Sequence, residues 1–599
     1  MKKSFRSTVV ILIVVIFIII TRIIFLDSDI PIPQVTEYVP IDEMYYNHAA
    51  FNLFHYGEFT HQIIPYINDD GTPKNIFENI VTAFTLGIWG NNYYGLRLAS
   101  VLAALLIVLF FYLFLKKIFF KENADQIAIK SRNNSIIEYV AIFLAMIYLM
   151  IDFSFLIASR VAEPTIFRML AMLFLMFLMS SVVFMKEKIP YPLTFLLGFF
   201  SFSSVLFVYF YNFFIFCAIG LTIIIWAWPT GWKNAARQVI IFCLGAAFCV
   251  LAYKLFCQYV YNVTFYDVFQ DLMSFKSRMA GNASGFIAGP KHYLTNFLSI
   301  FSTNIFRLNS AILFLFLVSL PAFIMNTFKE KNKLVVLSAN LLLFLFLQSI
   351  VINDFNFRKL VILLPLVIIS ILVAYSYKDE FFASLEKNSI MRKLFVVYWI
   401  GVGYFFVFFM HLGSIKPKMI NPGIIINSQA VIPYDINRVN LAVFLFVFAV
   451  LTMKYFSNKG VNKIIAIIAL AALFIPNIYT DFRYVYLNPT YNFRDTMIEL
   501  KDKVDGKVVA GGCAFGLRLY NDSIPLLDFY PYVYSTNPES KNLTTYRTTL
   551  TRLFRENKAD YSVQFTYAIG SNEKKYMDER GFEIEGRYGM ATLYKSKLK

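Results

Sequence analysis

The feature that most constrains this chain is the recurrence, from Val9 to about Ile478, of apolar runs long enough to cross a bilayer. Backbone buried in hydrocarbon has no water to bond to, so each such run must close its own hydrogen bonds as a helix. A soluble core holds a few runs of this length, not a dozen. We count thirteen, at roughly 8–25, 96–115, 137–152, 166–185, 191–206, 208–228, 238–256, 309–327, 333–350, 359–376, 393–410, 437–453 and 462–479. The expected fold class is therefore all-α and polytopic in a membrane. The first run lacks a small-residue cleavage site and reads as an uncleaved span.

Charge orients the bundle. A net charge of +17 invites a nucleic-acid reading, but the basic residues fall in short clusters between apolar runs, with no basic domain to track a phosphate backbone. Nucleic acid is thus excluded as a partner. With Lys2, Lys3 and Arg6 in the cytoplasm, strict alternation over thirteen spans makes every cytoplasmic loop basic, from Lys116–Lys117 to Lys454–Lys463, with Arg358-Lys359 and Lys416-Lys418 as exceptions on the outside. Reading 191–228 as one long span would invert everything after it. The expectation is a multi-pass protein of the cytoplasmic (inner) membrane, N-terminus cytoplasmic and C-terminus external or periplasmic. The five cysteines are scattered and imply neither a disulfide framework nor a metal site.

The long polar segments then all fall outside: loop one at 26–95, a large loop at 257–308, and everything after residue 480. Residues 1–480 form the membrane domain. Residues 481–599 read as a small α/β domain with strands near 507–510, 524–527, 561–564 and 590–594. That domain shows no nucleophile or metal spacing, and it reads as a fold-stabilising cap, the alternative being a cover on the membrane site or a guide for an acceptor. Within loop one, 44–56 reads as helix and 77–86 is apolar enough to lie in the interface. Gly281 to Phe286 in the large loop is a lid or a plain linker.

Loop one opens with Ile41-Asp42-Glu43-Met44-Tyr45-Tyr46-Asn47-His48. Two acids this close to a bilayer need a task or a partner. Asp42 is the candidate general base; the alternative is a solvated Asp-Glu helix cap. On the same face lie Arg160 and Glu163, Arg358 and Lys359, and Lys276 and Arg278 in the large loop. Each has a plainer reading: Arg160 snorkels to headgroups, Glu163 pairs with Arg160 or Arg168, and Arg358-Lys359 anchors to the surface. Arg97 would anchor phospholipid or fix loop one. Tyr45 and Tyr46 read as interfacial aromatics, with Tyr45 the candidate to touch substrate. His48 and His55 make only a weak metal spacing with Glu43 or Glu58.

Glycosyl transfer from a lipid-phosphate donor would use this set. A carboxylate takes the proton of the incoming hydroxyl, and cationic side chains neutralise the phosphate left on the lipid. A water-soluble nucleotide-sugar donor would need a cytoplasmic site, where the chain offers only short basic loops.

The stretch from Pro40 to Ala50, the segment Phe77 to Arg97, the segment Leu156 to Phe167 and the segment Phe357 to Pro365 together resemble the membrane glycosyltransferases of the GT-C class. The nearest group holds protein O-mannosyltransferases and bacterial aminoarabinose transferases acting on lipid A. The resemblance implies a helical bundle with two interfacial helices in loop one and a cavity at the outer leaflet. It implies sugar transfer from a polyprenyl-monophosphate carrier, usually with inversion. By this likeness Asp42 is the base or acceptor-orienting acid, Glu43 its helper, and Arg160 and Arg358 donor-phosphate contacts. Two departures stand out: Lys74 opens Lys74-Asn75-Ile76-Phe77 where the family often shows a Pro-rich basic segment, and Glu163 stands where it often has Asp. Arg and Lys can neutralise the donor phosphate, so no cofactor is required, and a divalent metal is left open. The acceptor is an envelope lipid, glycan or protein, and the protein a monomer among membrane lipids. The rivals are a lipid-linked-glycan ligase, polymerase or flippase, and a non-enzymatic membrane scaffold.

Overall fold

The computed structural model describes residues 12, 15–29, 43, 46–57, 75–119, 135–183, 189–261, 310–329, 333–352, 361–405, 434–456, 463–487, 489–511, 513–526, 559–565, 577–578 and 581–597. The first span contributes α1, residues 15–23. Two helices of loop one follow, α2 (His48–Tyr56) and α3 (Ile76–Trp89). Then come α4 (Tyr93–Phe119), α5 (Ser135–Ile151), the short α6 (Phe153–Ala158), α7 (Pro164–Val183), α8 (Tyr191–Ser203), α9 (Phe213–Ala227) and α10 (Trp232–Phe256). The rest of the bundle is α11 (Ser310–Lys329), α12 (Lys333–Ile352), α13 (Leu364–Ser376), α14 (Lys378–Lys387), α15 (Ser389–Tyr404), α16 (Tyr434–Phe456), α17 (Lys463–Ala472) and α18 (Ile475–Asp481).

Each of the thirteen expected stretches contains helix among its described residues. Among the described residues, six helices are long and apolar enough to cross a membrane, and the α13–α14 pair, bent by 61°, would make a seventh.

The doubtful 191–228 stretch is two elements. A π-helical turn at Ser204–Val208 ends α8, and Tyr209 takes an extended conformation (φ −164°, ψ 133°). Asn212 then donates to the Ser204 carbonyl at 3.0 Å and closes the turn. The decisive observation is that α8 and α10 run parallel. Gln238 donates to the Ile189 carbonyl at 2.8 Å and also bonds Thr194; Gly198 abuts Phe242, and Ser203 lies 3.1 Å from Cys249. Two packed parallel helices need one returning element between them, and α9 is that element, stacked through Phe216 on Phe242 at 4.8 Å.

Helix α3 is amphipathic in the inverted sense. Glu78, Asn79 and Thr82 are fully buried, while Phe77, Ile80, Phe84 and Ile88, at helical spacing, are exposed. In water that face would be a liability; at a bilayer surface it is what a lipid-facing helix presents.

After α18 a π-helical turn at Phe482–Tyr486 leads to α19 (Asn492–Leu500) and α20 (Ala514–Leu517). They accompany five strands: β1 (Val508–Ala510), β2 (Ile524–Leu526), β3 (Tyr561–Phe565), β4 (Phe582–Tyr588) and β5 (Ala591–Ser596). The sheet order is β2-β1-β3-β5-β4. β1 pairs in parallel with β2 and β3, whereas β5 is antiparallel to β3 and β4. Strand β4 goes beyond the sequence reading. Its alternation is broken by a register shift between Ile584 and Gly586, which hides the period-two signal. The sequence also reads as helical over Thr544 to Arg555 and Glu573 to Glu579; the first stretch and most of the second lie outside the described residues.

The sheet rests on one end of the bundle. Leu86 of α3, Tyr93 and Leu96 of α4 and Ala162 share a core with Phe493 and Met497 of α19. The basic end of α4 is the opposite one, where Lys117 reaches Ser181 of α7 and lies 4.1 Å over the Phe177 ring.

Candidate active site at the sheet-bearing end of the bundle

The end beneath the sheet gathers the last turn of α1, the lead-in to α2, the start of α4, and the 159–163 turn that joins α6 to α7. Arg97, in the second turn of α4, ties them together. Its Nε and Nη2 donate to the two carboxylate oxygens of Glu43 at 2.8 and 2.9 Å, a bidentate pair. Its Nη1 donates to the main-chain carbonyls of Leu26 and Ser28 at 2.9 and 2.6 Å. The guanidinium lies 5.0 Å over the Tyr93 ring. Glu43 is completely buried and also accepts the Ala162 amide at 2.9 Å. Its carboxylate is therefore satisfied by a fixed cation and a fixed N–H. That makes Glu43 a strut of loop one, next in sequence to Asp42.

Asn47 lies one helical turn beyond Glu43 and is also fully buried. Its side-chain amide donates to the Glu43 carbonyl at 2.9 Å, to the Ala162 carbonyl at 2.8 Å and to Glu78 Oε1 at 3.3 Å. Asn79 repeats the device between the two interfacial helices: it accepts from the Ala50 amide at 2.9 Å and donates to the Tyr46 carbonyl at 3.0 Å. These bonds lock α2 onto α3 and both onto the 159–163 turn. Burial pushes the Glu78 carboxyl up to about 8.

Arg160, expected at the donor phosphate, places Nη1 2.9 Å from the Ile24 carbonyl, and Nη2 bonds the Phe25 carbonyl. A cation on the orphan carbonyls at a helix C-terminus is favourable, so Arg160 secures the end of α1. Burial lowers its pKa to about 10, and it remains charged at neutral pH. Arg22 of α1 completes this corner, donating to Ser159 Oγ at 3.2 Å and to the Met150 carbonyl. Glu163 is buried at the same turn. Arg168, further along α7, is fully buried; it bonds Asn212 at 3.2 Å and Gln348 at 3.1 Å, with Tyr209 and Tyr211 beside it.

The structure thus brings Glu43, Arg160 and Glu163 to one corner. Asp42, Tyr45, Lys74, Lys276, Arg278, Arg358 and Lys359 lie outside the described residues. Sequence reasoning passed over Asn47, Glu78 and Asn79. A signal existed: polar groups in an otherwise apolar interfacial stretch need partners. It also passed over Arg518, which carries the sheet's contact with α2. Arg518 Nη1 lies 3.2 Å from the His48 ring nitrogens and donates to Asn52 at 3.0 Å, and the guanidinium sits 4.6 Å over Phe51. His48 therefore serves this docking contact.

No protein-family model matches the chain, and no curated protein matches it. Among solved structures, the crystal structure of ArnT from Cupriavidus metallidurans bound to undecaprenyl phosphate is similar over 99% of this chain and 98% of that one. The TM-score is 0.50 and the sequence identity 10%. The apo-state crystal structure of the same protein covers the same shares, with a TM-score of 0.46 and 10% identity. At such identity the first likeness speaks for the fold. It is the GT-C-like bundle with a small C-terminal sheet that the sequence motifs also resemble.

Proposed function

We propose that this protein is an integral-membrane glycosyltransferase. It moves a sugar from a polyprenyl-monophosphate carrier to a hydroxyl of an envelope lipid, glycan or protein at the outer face of the cytoplasmic membrane. The observation that carries the reading is the Glu43–Arg97–Ala162 lock. It holds the segment beside Asp42 rigidly at the bundle end where two interfacial helices meet. The full-length fold likeness to a protein crystallised with undecaprenyl phosphate supports the same donor class. The exposed apolar face of α3 supports a corner at the lipid surface, where such a carrier presents its phosphate.

In the proposed step Asp42 takes the proton of the acceptor hydroxyl as its oxygen attacks the anomeric carbon. The bond from that carbon to the phosphate oxygen breaks, and the electron pair leaves on the lipid phosphate. Attack opposite the leaving group inverts the anomeric centre. Lys74, Lys276, Arg278, Arg358 and Lys359 are the cations proposed to neutralise that phosphate, with Tyr45 lining the donor. Glu43 and Arg160 hold the frame, and Glu163 belongs to the same turn.

The test uses membrane vesicles containing the full-length protein, supplied with polyprenyl-phosphate sugars extracted from bacterial membranes. Release of free polyprenyl phosphate is read by mass spectrometry. Asp42→Asn should lower the rate by about a hundredfold or more, in line with the loss of a general base. Wild-type turnover in a folded Asp42→Asn protein would sink the assignment.

A further inference from the structure

We propose that Glu78 is a positioning residue for sugar transfer: its carboxyl holds Asn47, and through Asn47 the Glu43 turn next to Asp42. The inference rests on the reading of Asp42 as the base.

The geometry is that of a three-way joint. One side-chain amide, that of Asn47, faces acceptors from three separate parts of the chain: the Glu43 carbonyl, the Ala162 carbonyl and Glu78 Oε1. Two hydrogens serve three oxygens, so the weakest contact, 3.3 Å to Glu78, is the adjustable one. Asn47, Glu78 and Thr82 are all fully buried. Among the described residues, Glu78 Oε2, Thr82 Oγ1 and Asn47 Oδ1 have no hydrogen-bond partner. A buried carboxylate with a bare oxygen is costly; a carboxylic acid carries a proton to offer there.

The surrounding charges favour the acid as well. From the lead-in to α2, Glu43 bears on Glu78 and opposes a second negative charge. Arg97 of α4 is committed to Glu43 by its fork. The 159–163 turn presents the main chain of Ala162. With Glu43 and Arg97 already balanced, Glu78 fits this corner only when neutral. Its raised pKa of about 8 means that it ionises just above neutrality. Ionisation sets a second negative carboxylate in the same corner as that of Glu43, puts a full charge on one of the three acceptors of the Asn47 amide, and so disturbs the Glu43 turn next in sequence to Asp42. The neutral form is the competent one, so activity holds below that pH and is lost above it.

The experiment uses the vesicle assay on full-length protein across pH 6.5–9.5. Wild-type kcat should fall about tenfold per pH unit above the break, as one ionisation dictates. Glu78→Gln keeps an oxygen for Asn47 and cannot ionise; it should stay within about threefold of wild type at pH 7 and remain flat on the alkaline side. Glu78→Ala should lose about tenfold in kcat at pH 7, with the KM for the lipid donor unchanged. An alkaline fall in Glu78→Gln equal to that of wild type, or wild-type kcat in Glu78→Ala, overturns the proposal.

A second readout needs no turnover. Hydrogen–deuterium exchange of the 43–51 amides, as protection relative to intrinsic rates, should drop in wild type above the break and hold in Glu78→Gln. Identical behaviour in the two overturns the positioning role even if no variant turns over, an outcome that by itself counts against the sugar-transfer reading.

Discussion

At the scale of single residues, the proposal gives neighbours with the same chemistry different tasks. Asp42 and Glu43 are both carboxylates, one residue apart, and Glu43 is sealed by Arg97 and the Ala162 amide. Removing one partner of a buried, hydrogen-bonded ion pair leaves the other charge stranded, at a cost of about 3–5 kcal/mol. Glu43→Gln and Arg97→Lys should therefore each lower the melting temperature of the detergent-solubilised protein markedly. Lys cannot reproduce the two-pronged contact or the bonds to Leu26 and Ser28. Combining the two changes should cost less than their sum, because they remove the same interaction. Strict additivity would show that the pair is not coupled. Both residues stood out in the sequence. Their pairing did not, because they are 54 residues apart and nothing local in either segment specifies the other.

At the scale of elements, helix α3 and the α8–α10 pair show how far patterning reaches. The apolar composition of the stretch from Phe77 reads as interfacial, and the structure gathers Phe77, Ile80, Phe84 and Ile88 on one exposed face. What its polar face binds depends on α2, which the period cannot supply. The α8–α10 contact is set by two glycines. A Cβ added at Gly198 would sit 2.0 Å from the Phe242 carbonyl oxygen, and one at Gly245 would sit 2.1 Å from that of Phe195. Backbone atoms cannot step aside, so the helices must separate. Gly198→Ala and Gly245→Ala should each destabilise the bundle by about 1–3 kcal/mol or more. Gly401→Ala is the control, because nothing lies within 4 Å of its Cβ position. Equal melting temperatures for all three variants would contradict the close approach.

At the scale of the whole molecule, the C-terminal domain is docked on the bundle end that holds the candidate site. Helix α19 and its lead-in are joined to the segment that follows α1 by Arg494 donating to Asp27 at 2.6 Å and by the Asp29 amide donating to the Thr490 carbonyl at 2.7 Å. The domain is joined to α2 by Arg518, and Asn91 donates to the Arg518 carbonyl at 3.3 Å. Arg518→Ala would remove a charged hydrogen bond and a cation–π contact, together worth about 2–3 kcal/mol. The expected result is faster hydrogen exchange in α2 and around 514–523, with α4 and α7 unaffected. Unchanged protection in α2 would make the sheet a passive cover. The sequence reads this domain as a plain cap because its strands lack catalytic spacing, and the docking contacts give that cap its attachment. The docking residues are single polar side chains with no pattern around them.

The sequence alone determined the polytopic helical class, where its apolar helices fall, the apolar stretch of loop one that becomes α3, and most strands of the sheet. All of these follow from composition and period over a short window, and bilayer thickness and backbone hydrogen bonding act on such windows directly. The tertiary structure decided that α8 and α9 are separate, that Arg160 secures the end of α1, and that Glu43 is locked into the frame. Each of these rests on contacts between segments distant in the chain. Their partners are chosen by which helix ends meet and which buried polar groups must be satisfied there.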